Sequence, residues 1–295
     1  MARQVQEALR PGQSVELLQE LHILTREGGL NQDSRRKLKQ VYHLFGFIEK
    51  ILLQLESAGH ANITLADHGA GKSYLGFIIY DLFFRQREAG TIYGIETRQE
   101  LVEKSRELAQ RLGFERMRFL PLTVQESAQS DELPAQSDEL PAQIDVVTAL
   151  HACDTATDDA IAFGLQKQAR HMVLVPCCQA ETAGFLRKHK ALNLSRTPLA
   201  ELWRHPLHTR EMGSQLTNVL RCLYLESQGY SVTVTELVGW EHSLKNELIL
   251  AEYTGQKKRS AAHRMHEIVQ QFGLQELLAA RYPLVAGSAP APEMA

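Results

Sequence analysis

The chain has 295 residues, of which 44% are hydrophobic and 23% charged, with a formal net charge of -3 and four cysteines. That length holds a full α/β domain with additions and a core needing no covalent staples, and the near-neutral balance argues against a nucleic-acid coat protein. Met1 to Arg10 is polar and mixed, no apolar run approaches the ~18 residues of a membrane span, and Cys153, Cys177, Cys178 and Cys222 offer no C-x-x-C spacing, so a reduced, cytoplasmic protein with no zinc site is expected.

Residues 1–60 read as a helical extension. Val15, Leu18, Leu21 and Leu24 recur at helical spacing, Gly28-Gly29 stops that helix, and Asn31-Gln-Asp33-Ser34 supplies a fresh N-cap. The second helix carries Leu38, Val41, Phe45, Ile48 and Leu52 on one face and ends near Gly59. Its first turns are basic, Arg35-Arg36-Lys37-x-Lys39, the wrong sign for a helix N-terminus; a solvated face and an anion contact both explain them.

From Ile63 the pattern alternates between strand and helix. A strand ends at Asp67 and the helix after Gly71 runs through Leu75, Ile78, Ile79 and Leu82. The second strand, Thr91 to Ile95, ends at Glu96, and a charged amphipathic helix from Leu101 to Leu112 closes at Gly113. The third strand starts at Met117. A tandem copy follows, Ala128-Gln-Ser-Asp-Glu-Leu-Pro134 and Ala135-Gln-Ser-Asp-Glu-Leu-Pro141, which reads as a flexible surface loop over 128–143. The fourth strand, Ile144 to Leu150, runs into His151-Ala-Cys153-Asp154-Thr-Ala-Thr157-Asp158, and the fifth, His171 to Val175, into Pro176-Cys177-Cys178.

A basic segment over 182–213 then interrupts the rhythm, and a helix from Ser214 to Gln228 turns Leu216, Val219, Leu220 and Leu223 inward. The sixth and seventh strands, from Tyr230 and from Asn246, are joined too closely for a crossover helix and must be antiparallel. A helix with Met265, Ile268, Val269, Phe272, Leu277 and Leu278 closes residues 256–285, and a disordered tail is expected after it. Alternation of this kind predicts a parallel, doubly wound sheet with ligands at the carboxyl ends of its strands.

The turn Asp67-His-Gly69-Ala-Gly71-Lys72-Ser73 admits two chemistries. As Ala66-x-x-x-x-Gly71-Lys72-Ser73 it passes for a P-loop with its first glycine replaced, Lys72 on the terminal phosphates. As Asp67-x-Gly69-x-Gly71 it is a Rossmann-type turn for a nucleoside cofactor, with Glu96 placed to take the ribose hydroxyls. Glu96 and the reversed final strand favour the second.

Six parallel strands and one reversed strand at the C-terminal edge resemble the Rossmann-like, seven-stranded sheet of class I S-adenosylmethionine-dependent methyltransferases. More closely, Asp67-His-Gly69-Ala-Gly71-Lys72-Ser73-Tyr74-Leu75, Leu150-His151-Ala152-Cys153-Asp154, Pro176-Cys177-Cys178 and Glu241-His242-Ser-Leu-Lys245-Asn246 resemble motifs of the methyltransferase-like 25 and glutathione S-transferase C-terminal domain-containing proteins. The tRNA acceptor-stem 2'-O-methyltransferases are more distant relatives. The likeness runs from about Lys37 to Tyr253, with one departure: relatives commonly have glycine where Asp154 stands.

The resemblance implies S-adenosylmethionine on Asp67, Gly69, Gly71, Glu96 and the Leu150 strand end, with Gln125 at the adenine rim. For chemistry, their place beyond the fourth strand makes His151 or Asp154 the candidate base, with a backbone-bonded histidine as the bland reading of His151 and a harmless substitution as that of Asp154. Asp158 reads as the N-cap of the next helix. Cys177 and Cys178 are candidate thiol nucleophiles or small packed side chains. A 2'-O-methyltransferase commonly sets two lysines beside an aspartate and a glutamate, for which Lys39, Asp154 and Glu241 stand available. Lys245 and Asn246 would line the substrate side. Between 182 and 213, Arg187, Lys188, Lys190, Arg196, Arg204 and Arg210 face only Glu201 and Glu211, with Trp203 and three histidines between them. Such a stretch suits RNA, and it would equally suit an acidic protein.

Overall fold

The computed structural model describes residues 9–122, 140–150, 154–176, 180–189, 197–237 and 247–283. Two helices come first, α1 (Val15–Glu20) and α2 (Gln32–Ser57). Asn31 caps α2 as its sequence position predicts, its side chain accepting the Ser34 N–H at 2.7 Å. The α/β alternation follows: β1 (Thr64–His68), α3 (Tyr74–Leu82), β2 (Thr91–Ile95), α4 (Gln99–Arg111), β3 (Met117–Leu120), β4 (Val146–Leu150), α5 (Ala156–Gln166) and β5 (His171–Val175). After β5 come α6 (Ala180–His189), a 3-10 turn (Pro198–Trp203), α7 (Pro206–Ser227), β6 (Tyr230–Glu236), β7 (Glu247–Tyr253), α8 (Arg259–Phe272) and α9 (Gln275–Leu278).

The seven strands form one sheet in the order β3-β2-β1-β4-β5-β7-β6. Pairings from β3 through β5 are parallel, and β7 is antiparallel to both β5 and β6, so six strands share a direction and one opposes them. The reversed strand is not the edge strand expected from chain order. It inserts between β5 and β6, because α7 carries the chain past that slot and the short return connection then fills it.

Each face of the sheet buries its own core. Leu18, Phe45, Ile48 and Leu52 of α1 and α2 join Leu65, Phe77, Ile78 and Val102 on one face. Ala66, Val147, Ile161, Phe163, Leu220, Met265 and Leu278 belong to the other. Period-two alternation in β1 produces this division, Leu65 to one side and Ala66 to the other.

Two readings of the later helices change. The stretch 182–213 interrupts the strand–helix alternation as expected, with no strand among its described residues, but α6 covers its start and α7 begins at Pro206 rather than Ser214. On α7, Val219 is 47% exposed, and Arg221 occupies the interior instead. The final helix is divided, since Gly273 at φ 67 ends α8 before α9 begins. The repeat loop up to residue 139 and the tail from 284 lie outside the described residues. Among the described residues, no helix is long and apolar enough to cross a membrane.

Candidate active site

In the order 3-2-1-4-5, the sheet switches direction between β1 and β4, and the crevice beyond the carboxyl ends of those strands is where a doubly wound sheet takes its ligand. Asp67 stands at that switch. It is 2% exposed, and its carboxylate accepts the Thr148 hydroxyl at 2.9 Å across the β1–β4 pair, the Gly76 N–H and, at 3.5 Å, the Ser73 hydroxyl. Burial outweighs these bonds and raises its pKa to about 6. Asp67 thus supports the glycine turn from beneath.

The turn itself bends through three left-handed residues, Gly69 at φ 67, Gly71 at φ 58 and Ser73 at φ 52. Glycine takes such angles freely, which is why the two glycines stand there. Ser73 is 1% exposed with its hydroxyl turned down toward Asp67, and Lys72 is exposed beside a cleft of about 230 Å³ lined also by Tyr74, Lys104 and Arg111. A P-loop needs that hydroxyl for magnesium and that lysine for phosphates; neither is aimed at the turn's own mouth.

Glu96 closes the turn from β2. The Gly71 N–H donates to Oε2 at 2.8 Å, and Arg98 donates to both oxygens, from Nε at 3.0 Å and Nη2 at 3.1 Å. Burial works to raise the Glu96 pKa, but the bonds and charge of Arg98 and the Gly71 amide together prevail and hold it at about 2. Beside it lies His68, 5% exposed, both ring nitrogens without a hydrogen-bond partner among the described residues, its ring 5.4 Å from that of Phe163. Burial lowers the His68 pKa to about 4, so the imidazole is neutral at physiological pH. Nothing in the sequence reading singled out His68.

Beyond β4, Leu150 is half-buried and pairs with Val175 of β5. Asp154 adopts a left-handed conformation at φ 51, and its carboxylate accepts the Glu181 N–H of α6 at 3.4 Å. That backbone angle explains why glycine suits this position, and aspartate is among the few other residues that visit it. Asp158 is not the N-cap: Thr155 holds that place without a side-chain bond, and Asp158 pairs instead with buried Arg221 at 2.7 Å. Arg187 and Lys188 are exposed on α6, and Lys39 is exposed on α2. Trp203 is 8% exposed, packed 6.0 Å from Phe272, so it offers no face to a base. His151, Cys177, Cys178, Gln125, Glu241, Lys245 and Asn246 lie outside the described residues.

Residues 36–184 match a family described as a methyltransferase domain, a span that holds the glycine turn, Glu96, Asp154 and the ends of all five leading strands. The chain belongs to this methyltransferase family. Among solved structures it is similar to an S-adenosylhomocysteine-bound methyltransferase from Podospora anserina, at 11% identity over 81% of this chain and 87% of that one, TM-score 0.43. It is similar also to an S-adenosylmethionine-dependent methyltransferase from Aquifex aeolicus, at 18% identity over 69% and 87%, TM-score 0.36. An rRNA methylase from Streptococcus thermophilus matches at 9% identity over 65% and 87%, TM-score 0.37. No curated protein matches the chain.

The strand ends of this methyltransferase suit S-adenosylmethionine as the methyl donor. A cofactor without phosphates needs no lysine in its turn, and the open backbone at Gly69 and Gly71 admits a chain lying against it. The buried His68 ring holds two polar atoms for which the described residues supply no partner. When bound, the cofactor supplies an electrophilic methyl group on a positively charged sulfur.

Proposed function

We propose that this methyltransferase acts on RNA. The observation that carries the reading is the exposed Arg187 and Lys188 on α6, the helix whose first turn meets Asp154. Basic side chains beside the reacting groups suit a phosphate-bearing acceptor. Arg204, His205, His208 and Arg210 are exposed later in the same basic segment, where Glu201 and Glu211 pair with the two arginines.

In this reading Gly69, Gly71 and Glu96 hold the cofactor, with Asp67 shaping the turn below, Leu150 at the strand end and Gln125 at the adenine. Methyl transfer to oxygen or nitrogen requires an aligned nucleophile and a group that takes its proton. Asp154 and His151 serve as that group, Cys177 and Cys178 stand with them at the strand ends, and Lys39, Lys245 and Asn246 contact the acceptor. Within its family the chain groups with the methyltransferase-like 25 proteins on the His151-Ala-Cys153 and Pro176-Cys177-Cys178 motifs.

A protein acceptor is the second reading, favoured by Leu199, Leu202 and Leu207, which are 50%, 43% and 57% exposed among those same basic residues. Purified protein incubated with methyl-labelled S-adenosylmethionine and either total RNA or total protein separates the two. Label in RNA that disappears on nuclease treatment is the expected result; label confined to protein would end the RNA reading.

A further inference from the structure

The interior face of α7 carries one buried charge, which apolar periodicity does not account for. Arg221 is 0% exposed. Its Nε and Nη2 donate to the two oxygens of Asp158 at 2.9 and 2.7 Å, Nη2 donates also to the Asp154 carbonyl at 2.7 Å, and Nη1 to Asn218 Oδ1 at 3.0 Å. From behind, the hydroxyl of Tyr282, itself 2% exposed, donates to Asp158 Oδ1. The neighbouring Arg281 pairs with Glu181, whose N–H meets the Asp154 carboxylate. Asn218 in turn donates to Glu247, the first residue of β7, at 2.6 Å.

Stability is a poor account of this cluster, because a buried ion pair adds little over a well-packed apolar one once desolvation is counted. What the cluster fixes is geometry. A planar fork bonded at once to both Asp158 oxygens and to the Asp154 carbonyl permits one orientation of the Asp154 peptide. The Asp154 side chain leaves from that peptide, in the left-handed conformation that aspartate is one of few non-glycine residues to adopt.

We propose that Arg221, braced by Tyr282, is a positioning residue for methyl transfer: it holds the Asp154 peptide so that the carboxylate faces the acceptor. The segment after α9 is then part of the catalytic apparatus although it lies beyond the matched methyltransferase span. The proposal rests on the reading of Asp154 as the base.

Three full-length variants test it: Asp154→Asn, Arg221→Lys and Tyr282→Phe, the last removing a single hydroxyl. Each is assayed for transfer from labelled S-adenosylmethionine to total RNA and total protein, for cofactor affinity by calorimetry, and for amide hydrogen exchange. Arg221→Lys should lower turnover about 50-fold and Tyr282→Phe about 10-fold, with cofactor affinity within about twofold, since a small misplacement of a reacting group suffices. Exchange at residues 154–159 should accelerate about 10-fold in both, with β1 and β4 unchanged. In an Asp154→Asn background, Tyr282→Phe should change residual turnover by less than about twofold, because the two act through one group. Turnover of Tyr282→Phe near wild type overturns the proposal, as does a loss matched by loss of cofactor affinity or of β1 protection. Full turnover in Asp154→Asn sinks the reading of Asp154 as base, whichever way the other two variants behave.

Discussion

Asp67 and Glu96 end neighbouring strands yet are perturbed in opposite directions, and the difference lies in their partners. Asp67 is buried among neutral donors, and its pKa rises to about 6; Glu96 has the guanidinium of Arg98, and its pKa falls to about 2. A carboxyl raised by folding stabilises the fold below its unfolded pKa, near 3.8, and that contribution is lost as pH rises toward 6. Two pH units correspond to ~3 kcal/mol. Urea unfolding of wild type and Asp67→Asn between pH 4 and 6.5 should therefore show their stability difference shifting by about that amount in favour of the variant. A constant difference would mean that Asp67 titrates normally. Glu96 acts in the opposite sense: its contribution is complete above pH 4.5 and is lost as pH falls toward 2. Arg98→Ala removes the counter-charge and its side-chain bonds and leaves two backbone amides, of residue 98 and Gly71, against burial, so the Glu96 pKa rises. Cofactor affinity of that variant, by calorimetry, should fall about 3- to 10-fold from pH 7.5 to pH 5, a range over which wild-type Glu96 stays ionised. Affinity with the same pH dependence in both proteins would remove Glu96 from the cofactor site.

At the scale of elements, α6 and α7 show how closely the substrate side is built. Gly213 of α7 faces Ala183 of α6, and a Cβ on it would meet the Ala183 N, Cα and Cβ at 2.8 Å. Backbone cannot yield as a flexible side chain does, so Gly213→Ala should destabilise by about 1–3 kcal/mol and lower the thermal midpoint measured by circular dichroism. A midpoint within a degree of wild type would show that the helices part freely. The strands of this sheet were legible in the sequence because β1, β2, β4 and β5 are short apolar runs, three of which run into a glycine, an acid or a proline. The acids at the tips of β1 and β2 followed from the same pattern. What escaped was whatever depended on contacts between distant segments. Val219 looked inward because it is apolar, and Arg221 did not because it is charged; Asp158, from 63 positions earlier, supplies the opposite charge that its burial needs. Asp158 likewise resembled a helix cap until its partner was known. Trp203 resembled a stacking platform until Phe272 covered it.

The charge of the whole molecule bears on how it meets its acceptor. A net charge of -3 gives no general attraction to nucleic acid, so on the proposed RNA reading the attraction must come from local fields within a Debye length of the site. Arg187 and Lys188 are exposed cations on α6, the helix whose first turn meets Asp154, and neither supports the core. Replacing both with alanine should leave the thermal midpoint unchanged. If each neutralises one phosphate, the log–log slope of RNA affinity against salt should become shallower by about 2, and affinity at low salt should fall more than at high salt. Filter binding from 50 to 300 mM salt measures this directly. Affinity of wild type that does not change with salt would show that phosphates are not what these residues meet, and the exposed leucines between Pro198 and Thr209 would then direct attention to a protein acceptor.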